Sequence, residues 1–367
     1  MLNFALIYSM TEAVKIRTKM NFAGGILLVF SAYIAFCALF FPVRTAASVS
    51  AALKLSVVAV VPTLAVFVMA YKILTPALTA AFSKMKRLQR LFSVSPGGLC
   101  MIFAGLISGF PMGAVIYAEL RKNESIGESE GESLMPFCNN AGAAFLIGSV
   151  GTKMFENTAY GVTLFVCQTL AAILMIIFTR KERKNVLNTP AAAQKSITPS
   201  SAARAIADGG KTMLGITSFI VFFAALGDAL TADMRVGGYV GAMIRCALEI
   251  SGGMNALSSL GAFGMQMGGF AVGFSGFSVY MQSHFASGGE GMKKYIGGKT
   301  AMSALCGALT FAFVAVGERT AFFEYFGDGA SEAKDTAWLG GMLALFAACA
   351  VAVAAIVSRA SSKLPKK

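Results

Sequence analysis

Charged residues cut an otherwise apolar chain into uncharged runs at 20–43, 55–71, 91–118, 133–152, 157–179, 212–227, 250–289, 300–317 and 336–358. Most are close to the roughly 20 residues that a helix needs to cross about 30 Å of hydrocarbon. The pattern predicts an all-α polytopic membrane protein. Two stretches do not read as simple spans. The run 91–118 carries Ser108-Gly-Phe-Pro-Met-Gly in its middle, and the run 250–289 is too long for one crossing and is preceded by Glu249. Glycine and proline interrupt a helix. The backbone they free is tolerated at membrane depth only inside protein or beside a watery cavity.

Composition agrees. Of 367 residues, 56% are hydrophobic and 13% charged, with a mean hydropathy of +0.69, where a soluble domain carries about 25% charged residues. The net charge of +13 suggests nucleic acid until it is mapped. The basic residues cluster at the ends of apolar runs and therefore report topology. Lys15, Arg17 and Lys19, then Lys84 to Arg90, then Arg180 to Lys184, and the tail from Arg359 to Lys367 are all placed inside, so both termini are expected in the cytoplasm. Three apolar runs lie between the second and third basic points, and an odd number of crossings cannot return to the same side. One must be re-entrant, and 91–118 is the best choice. The same count between residues 212 and 294 makes the element with Glu249-Ile-Ser-Gly-Gly-Met-Asn a second re-entrant hairpin, entering from the outside. The expectation is about eight transmembrane helices plus two re-entrant broken hairpins in an inverted structural repeat, the plan of many secondary transporters. The organisation reads as an N-terminal signal-anchor helix (1–45), a first repeat (46–180), a cytoplasmic linker (181–205), a second, inverted repeat (206–317), and an outer loop, last span and basic tail (318–367).

Polar residues inside the membrane are costly and therefore informative. Four clusters stand out: Ser108, Gly109, Pro111 and Met112; Asn139, Asn140 and Gly142; Glu249, Ser251, Gly252 and Asn255; and Ser275, Gly276 and Gln282. These are the candidate substrate-binding residues, with Glu249 as the candidate ion- or proton-coupling carboxylate. Two readings of Glu249 stand side by side: coupling to H+ or Na+, or a structural pair with Arg245 one helical turn earlier. Asn139 and Asn140 can hold a ligand or join helices by hydrogen bonds. The positive ends of half-helices at the breaks favour an anionic ligand. Asn139, Asn140, Glu249 and Ser275 are expected to line one cavity. Seven single cysteines read as small core residues, and His284 as a membrane-interface residue. No metal site, cofactor or enzymatic constellation is expected. Gly297-Gly-Lys-Thr ends like a phosphate loop but lacks its upstream glycine and opens an apolar run, so it is set aside.

The stretches SGFPMGAVIYAELRKNESI and ESLMPFCNNAGAAFLIGSVG, with LEISGGMNALSS, FAVGFSGFSVYMQS and KKYIGGKTAMSAL, resemble the sporulation integral membrane protein YlbJ family, placed among nucleoside-recognition or gate-domain membrane proteins. The resemblance covers residues 53 to 309. It implies movement of a small organic anion, dipicolinic acid, from mother cell across the outer forespore membrane. A non-transporting sporulation scaffold for spore-envelope (cortex) assembly and a nucleoside or other small-solute carrier are the alternatives. The expected partners are the anion, H+ or Na+, the lipid bilayer and a second copy of the chain, with no nucleic acid.

Overall fold

The computed structural model describes residues 22–183 and 198–319. The signal-anchor flank, most of the linker, the outer loop, the last span and the basic tail lie outside the described residues. Every described element is helical. The chain divides after Ala47 into two compact units, of which the first contributes α1 (Phe22–Phe40) and the start of α2 (Pro42–Leu55).

In the second unit a π-helical turn leads into α3 (Val61–Ser83). Then come α4 (Lys86–Phe92), α5 (Pro96–Ile107), α6 (Met112–Lys122) and α7 (Glu128–Leu134). A π-helical segment, Ala144–Met154, precedes α8 (Thr158–Phe178). The remainder is α9 (Pro199–Asp233), α10 (Gly238–Leu248), α11 (Ile250–Ser258), α12 (Gly261–Phe274), α13 (Gly276–Ala286) and α14 (Tyr295–Arg319).

Local sequence explains the helix starts. Ser95 precedes Pro96 and accepts from the Gly98 N–H at 3.1 Å. Asn157 accepts from the Tyr160 N–H at 2.9 Å to start α8. Thr198 and Ser201 cap each other reciprocally at the head of the 35-residue α9. Each supplies an acceptor for an N–H that has no partner in the first turn, while proline at the first helical position needs none.

Four helical stretches are long and apolar enough to cross a membrane, Leu64–Ser83, Thr158–Arg183, Pro199–Asp233 and Tyr295–Ala315. The count among the described residues reaches six if two further helix pairs, each interrupted by a short break, form one span apiece. The difference from about eight has a clear source besides the last span, which is not described. The run 133–152 and the later part of the run 250–289, read as plain spans, are both interrupted: the first by the non-helical stretch 138–142, the second at Ser275. The order long helix, broken hairpin, broken helix, long helix therefore occurs twice, in α3 to α8 and again in α9 to α14.

The cores mix the two halves. One buried cluster joins Leu99, Ile116 and Cys167 with Ile216 and Met302. The other joins Leu146, Tyr160 and Leu164 with Ile250, Met254 and Val272. Six cysteines among the described residues are buried, in keeping with small apolar packing.

Candidate functional site

In the first half, α5 stops where the chain turns through Gly109 at φ +96°, a conformation that costs glycine little and other residues much. The absence of a side chain is used twice over. A Cβ on Gly109 would stand 3.0 Å from the Gly142 nitrogen, and one on Gly142 would stand 3.1 Å from the Ser108 carbonyl oxygen. The hairpin tip thus lies backbone to backbone against the break in the following helix. Gly105 and Gly113, on either arm of the hairpin, both press on the Cys138 carbonyl. Asn139 Oδ1 accepts from the Ala114 N–H at 3.1 Å and so closes the head of α6. On the other side of the stretch, the Gln168 amide grips Ala141, accepting from its N–H and donating to its carbonyl, each at 2.9 Å.

The second half repeats the relation with different residues. Helix α10 ends at Leu248, Glu249 is extended at φ −144° and ψ 119°, and α11 begins at Ile250. The Glu249 carboxylate turns back to accept from the Ser251 N–H at 3.0 Å and the Gly252 N–H at 2.8 Å. The following helix breaks at Ser275 (φ 70°) and Gly276 (φ +85°). A Cβ on Gly276 would meet the Cys246 carbonyl oxygen at 2.9 Å, so here too the hairpin tip lies against the next break.

Three expectations change. Arg245 does not pair with Glu249: its guanidinium bonds Asp228 at 2.9 Å and Thr231 Oγ1 at 3.1 Å. The one-turn spacing applies only inside a continuous helix, and this helix stops before Glu249. The half-helix heads are not open to a ligand carboxylate, since Glu249 caps α11 and Asn139 caps α6. Of Asn139, Asn140, Glu249 and Ser275, expected in one cavity, only Glu249 lines the two cavities described below, and the other three gather around Lys299. They separate into two places.

Ser108, Gly109 and Gly142 line a cavity of about 280 Å³ together with Glu249 and Ser251. Phe67, Phe110 and Phe145 add aromatic wall, the last two edge to face with ring centroids 6.2 Å apart. The Ser108 hydroxyl is buried and has no hydrogen-bond partner. Glu249 and Ser251 also line a second cavity of about 270 Å³, which adds Gly252, the exposed Asn255, Asp228 and Arg245. Glu249, only 3% exposed, is therefore the wall between two spaces.

The other group surrounds a residue that sequence reading set aside. Lys299 is fully buried. Its ammonium donates to the Asn139 carbonyl at 2.6 Å, to Ser275 Oγ at 3.1 Å and to Asn140 Oδ1 at 3.3 Å. The signal was present: Lys293 and Lys294 already mark the basic flank, and Lys299 stands a turn and a half further into the run. Gln168 was also missed, one amide within a 23-residue apolar run. Of the remaining candidates, Pro111 and Met112 are buried in packing, Gly276 serves the backbone approach, and Gln282 donates to Ser278 Oγ at 3.0 Å. Among the described residues no group of three or more His, Cys, Asp or Glu side chains can hold a metal ion.

These features define an all-α polytopic membrane protein with two broken hairpins, two broken helices and a cavity wall carrying a carboxylate. The chain is 24% identical over 234 residues to the sporulation integral membrane protein YlbJ of Bacillus subtilis (strain 168). That stretch covers 52% of this chain and 57% of the Bacillus protein, so the chain spans little more than half the length of the curated relative it matches. No family model and no solved structure matches the chain.

Proposed function

We propose that the chain is a secondary carrier of a small organic anion in the membrane of a sporulating cell, with dipicolinic acid as the first cargo to test. The observation that supports this reading is the cavity lined from both halves, with unpaired Ser108 on one side and Glu249 on the other. Its volume of about 280 Å³ lies just under the range of about 300 to 1,000 Å³ for drug-sized ligands, and its aromatic wall suits a single planar ring. Discontinuous helices meeting at a site between two structural repeats are the architecture of many carriers, and the twofold order of long and broken helices fits an inverted repeat.

Glu249 makes the mode of transport specific. An ionised carboxylate in the wall repels an anionic cargo at close range and low dielectric. The anion enters with a proton or a sodium ion at Glu249, so transport is cation-coupled. In the sporulating cell this would carry the anion from the mother cell across the outer forespore membrane, with both chain termini in the cytoplasm. The same carboxylate favours one second reading, a neutral heteroaromatic cargo such as a nucleoside, which needs no charge compensation. We assign no enzymatic reaction.

Uptake into proteoliposomes tests this. Saturable dipicolinate uptake driven by an imposed proton or sodium gradient, with gradient dependence lost in Glu249→Gln, supports the anion carrier. Uptake of uridine and not dipicolinate moves the cargo to the nucleoside class. No uptake of either by folded protein under any gradient refutes a carrier of these cargoes and favours a sporulation-membrane scaffold for spore-envelope assembly.

A further inference from the structure

We infer that Lys299 is a positioning residue that pins the broken helices of the two halves to each other. The inference is independent of any cargo. A fully buried charge is expensive unless its hydrogen bonds are complete. Here they are complete without a carboxylate. An ammonium has three donors and no acceptor, and Lys299 places one on each of three oxygens. Each oxygen is an acceptor in this arrangement. The Asn139 carbonyl can only accept. Asn140 uses its amide nitrogen on the Phe137 carbonyl at 2.6 Å and leaves Oδ1 for the lysine. Ser275 gives its own proton to the Val272 carbonyl at 2.9 Å, so its oxygen is left to accept. No ion pair joins Lys299 to an acid among the described residues.

Two of these acceptors belong to the 138–142 stretch of the first half and the third to the Ser275 break of the second. Charge-assisted bonds of this kind are about twice as strong as neutral ones. They are made at the two places where the backbone ladder is missing, and at the first of them they act beside the Gln168 and Ala114 bonds. The stretch also carries Gly142, which lines the aromatic-walled cavity and touches the first hairpin tip. Asn139 closes the head of α6 at the same time as its carbonyl binds the lysine. One cation thus fixes the first half's cavity wall to the second half's break, and the two move as one body.

The test uses the native cysteines of the full chain. Cys138 immediately precedes the pinned asparagines and is fully buried, whereas Cys100 lies in α5 and has no bond to Lys299. Purified protein is reacted with N-ethylmaleimide, and each cysteine is read by mass spectrometry. In Lys299→Met, which keeps the length and removes the charge, labelling of Cys138 is expected to rise about tenfold or more through local opening, with Cys100 within about twofold of wild type. Ser275→Ala, which removes one acceptor, should raise Cys138 labelling by about threefold. The double variant should label like Lys299→Met alone, since Ser275 acts through the lysine. Unchanged Cys138 labelling in Lys299→Met overturns the inference, and so do additive effects in the double variant. If Lys299→Met unfolds and every cysteine labels, Ser275→Ala decides: a rise confined to Cys138 supports the pin, and no rise overturns it.

Discussion

The two halves solve one problem with different chemistry. Each interrupts a hairpin and then a helix inside the membrane, and each lays the hairpin tip against the next break. The first half does so with neutral groups: Gly109 and Gly142 permit the approach, Asn139 closes the head of α6 from a distance, and Gln168 holds Ala141. The second half uses a carboxylate that caps its own helix, and a serine in the left-handed region. The first half's break is held by partners remote in sequence, the Lys299 ammonium of the second half among them, whereas the carboxylate cap is local. The first half is therefore built for shape and the second carries the group that can change charge.

The largest effect expected from breaking this comparison comes from filling the backbone approaches. Gly113→Val drives a side chain into the Cys138 carbonyl, and Gly253→Val drives one into the Cys246 backbone. Each should cost about 3 kcal/mol or more by overpacking, seen as a lower thermal midpoint and less monodisperse protein in detergent. Equal losses would show that both halves depend on close approach alike. A tolerated Gly253→Val would break the parallel.

Removing the charged cap comes next. Glu249→Ala leaves the buried Ser251 N–H and the part-buried Gly252 N–H without acceptors, and the loss expected is about 3 kcal/mol, at about 1 to 3 kcal/mol for each unsatisfied group. Glu249→Gln retains one acceptor oxygen and should lose about half as much. Thermal unfolding of both variants checks the order. On the neutral side, Gln168→Ala should cost about 2 kcal/mol, because two hydrogen bonds to Ala141 go at once.

A pH effect sharpens the picture on the polar side of the first hairpin. Glu130 in α7 accepts from the Ser95 N–H at 2.7 Å at the foot of α5. Burial pushes its carboxyl up to about 7, against the opposing pull of the Ser95 hydrogen bonds and Arg183. The folded state therefore holds this proton more tightly than the unfolded chain. Its contribution is complete below the unfolded value near 4.5 and is lost as pH rises through about 7, because there the unfolded state binds fewer protons. Thermal midpoints measured from pH 5 to 8 should fall with pH in wild type and fall less in Glu130→Gln. The smallest effect belongs to Arg245→Leu. Its pair with Asp228 is 36% exposed on both sides, and such pairs contribute about 0.2 to 1 kcal/mol. A loss much larger than that in the same unfolding assay would mean that Arg245 supports Glu249 after all.

Much of the fold was legible because a bilayer is a severe solvent. Uncharged runs of membrane length had to be helices, and Ser108-Gly-Phe-Pro-Met-Gly had to interrupt one, since glycine and proline act through the local backbone. Glu249 as the point of the second hairpin's break was legible for the same reason. The break at 138–142 was not. Its Asn-Asn-Ala-Gly stretch has no proline, and it stays open because Lys299, Gln168 and Ala114 take the backbone and amide groups that a helix would otherwise use. The Ser275 break was hidden in the same way, in a serine that adopts φ 70° beside Gly276.

The sequence by itself determined that this is a helical membrane protein, where its two hairpin breaks fall and several of the polar groups at depth, because those follow from hydrophobicity and local backbone chemistry. Only the tertiary structure decided which polar group meets which. Whether Glu249 turns to Arg245 or to its own helix head, and whether Lys299 faces the membrane interface or the two breaks, depends on helix ends and on contacts as many as 160 residues apart. Local periodicity carries no record of such contacts.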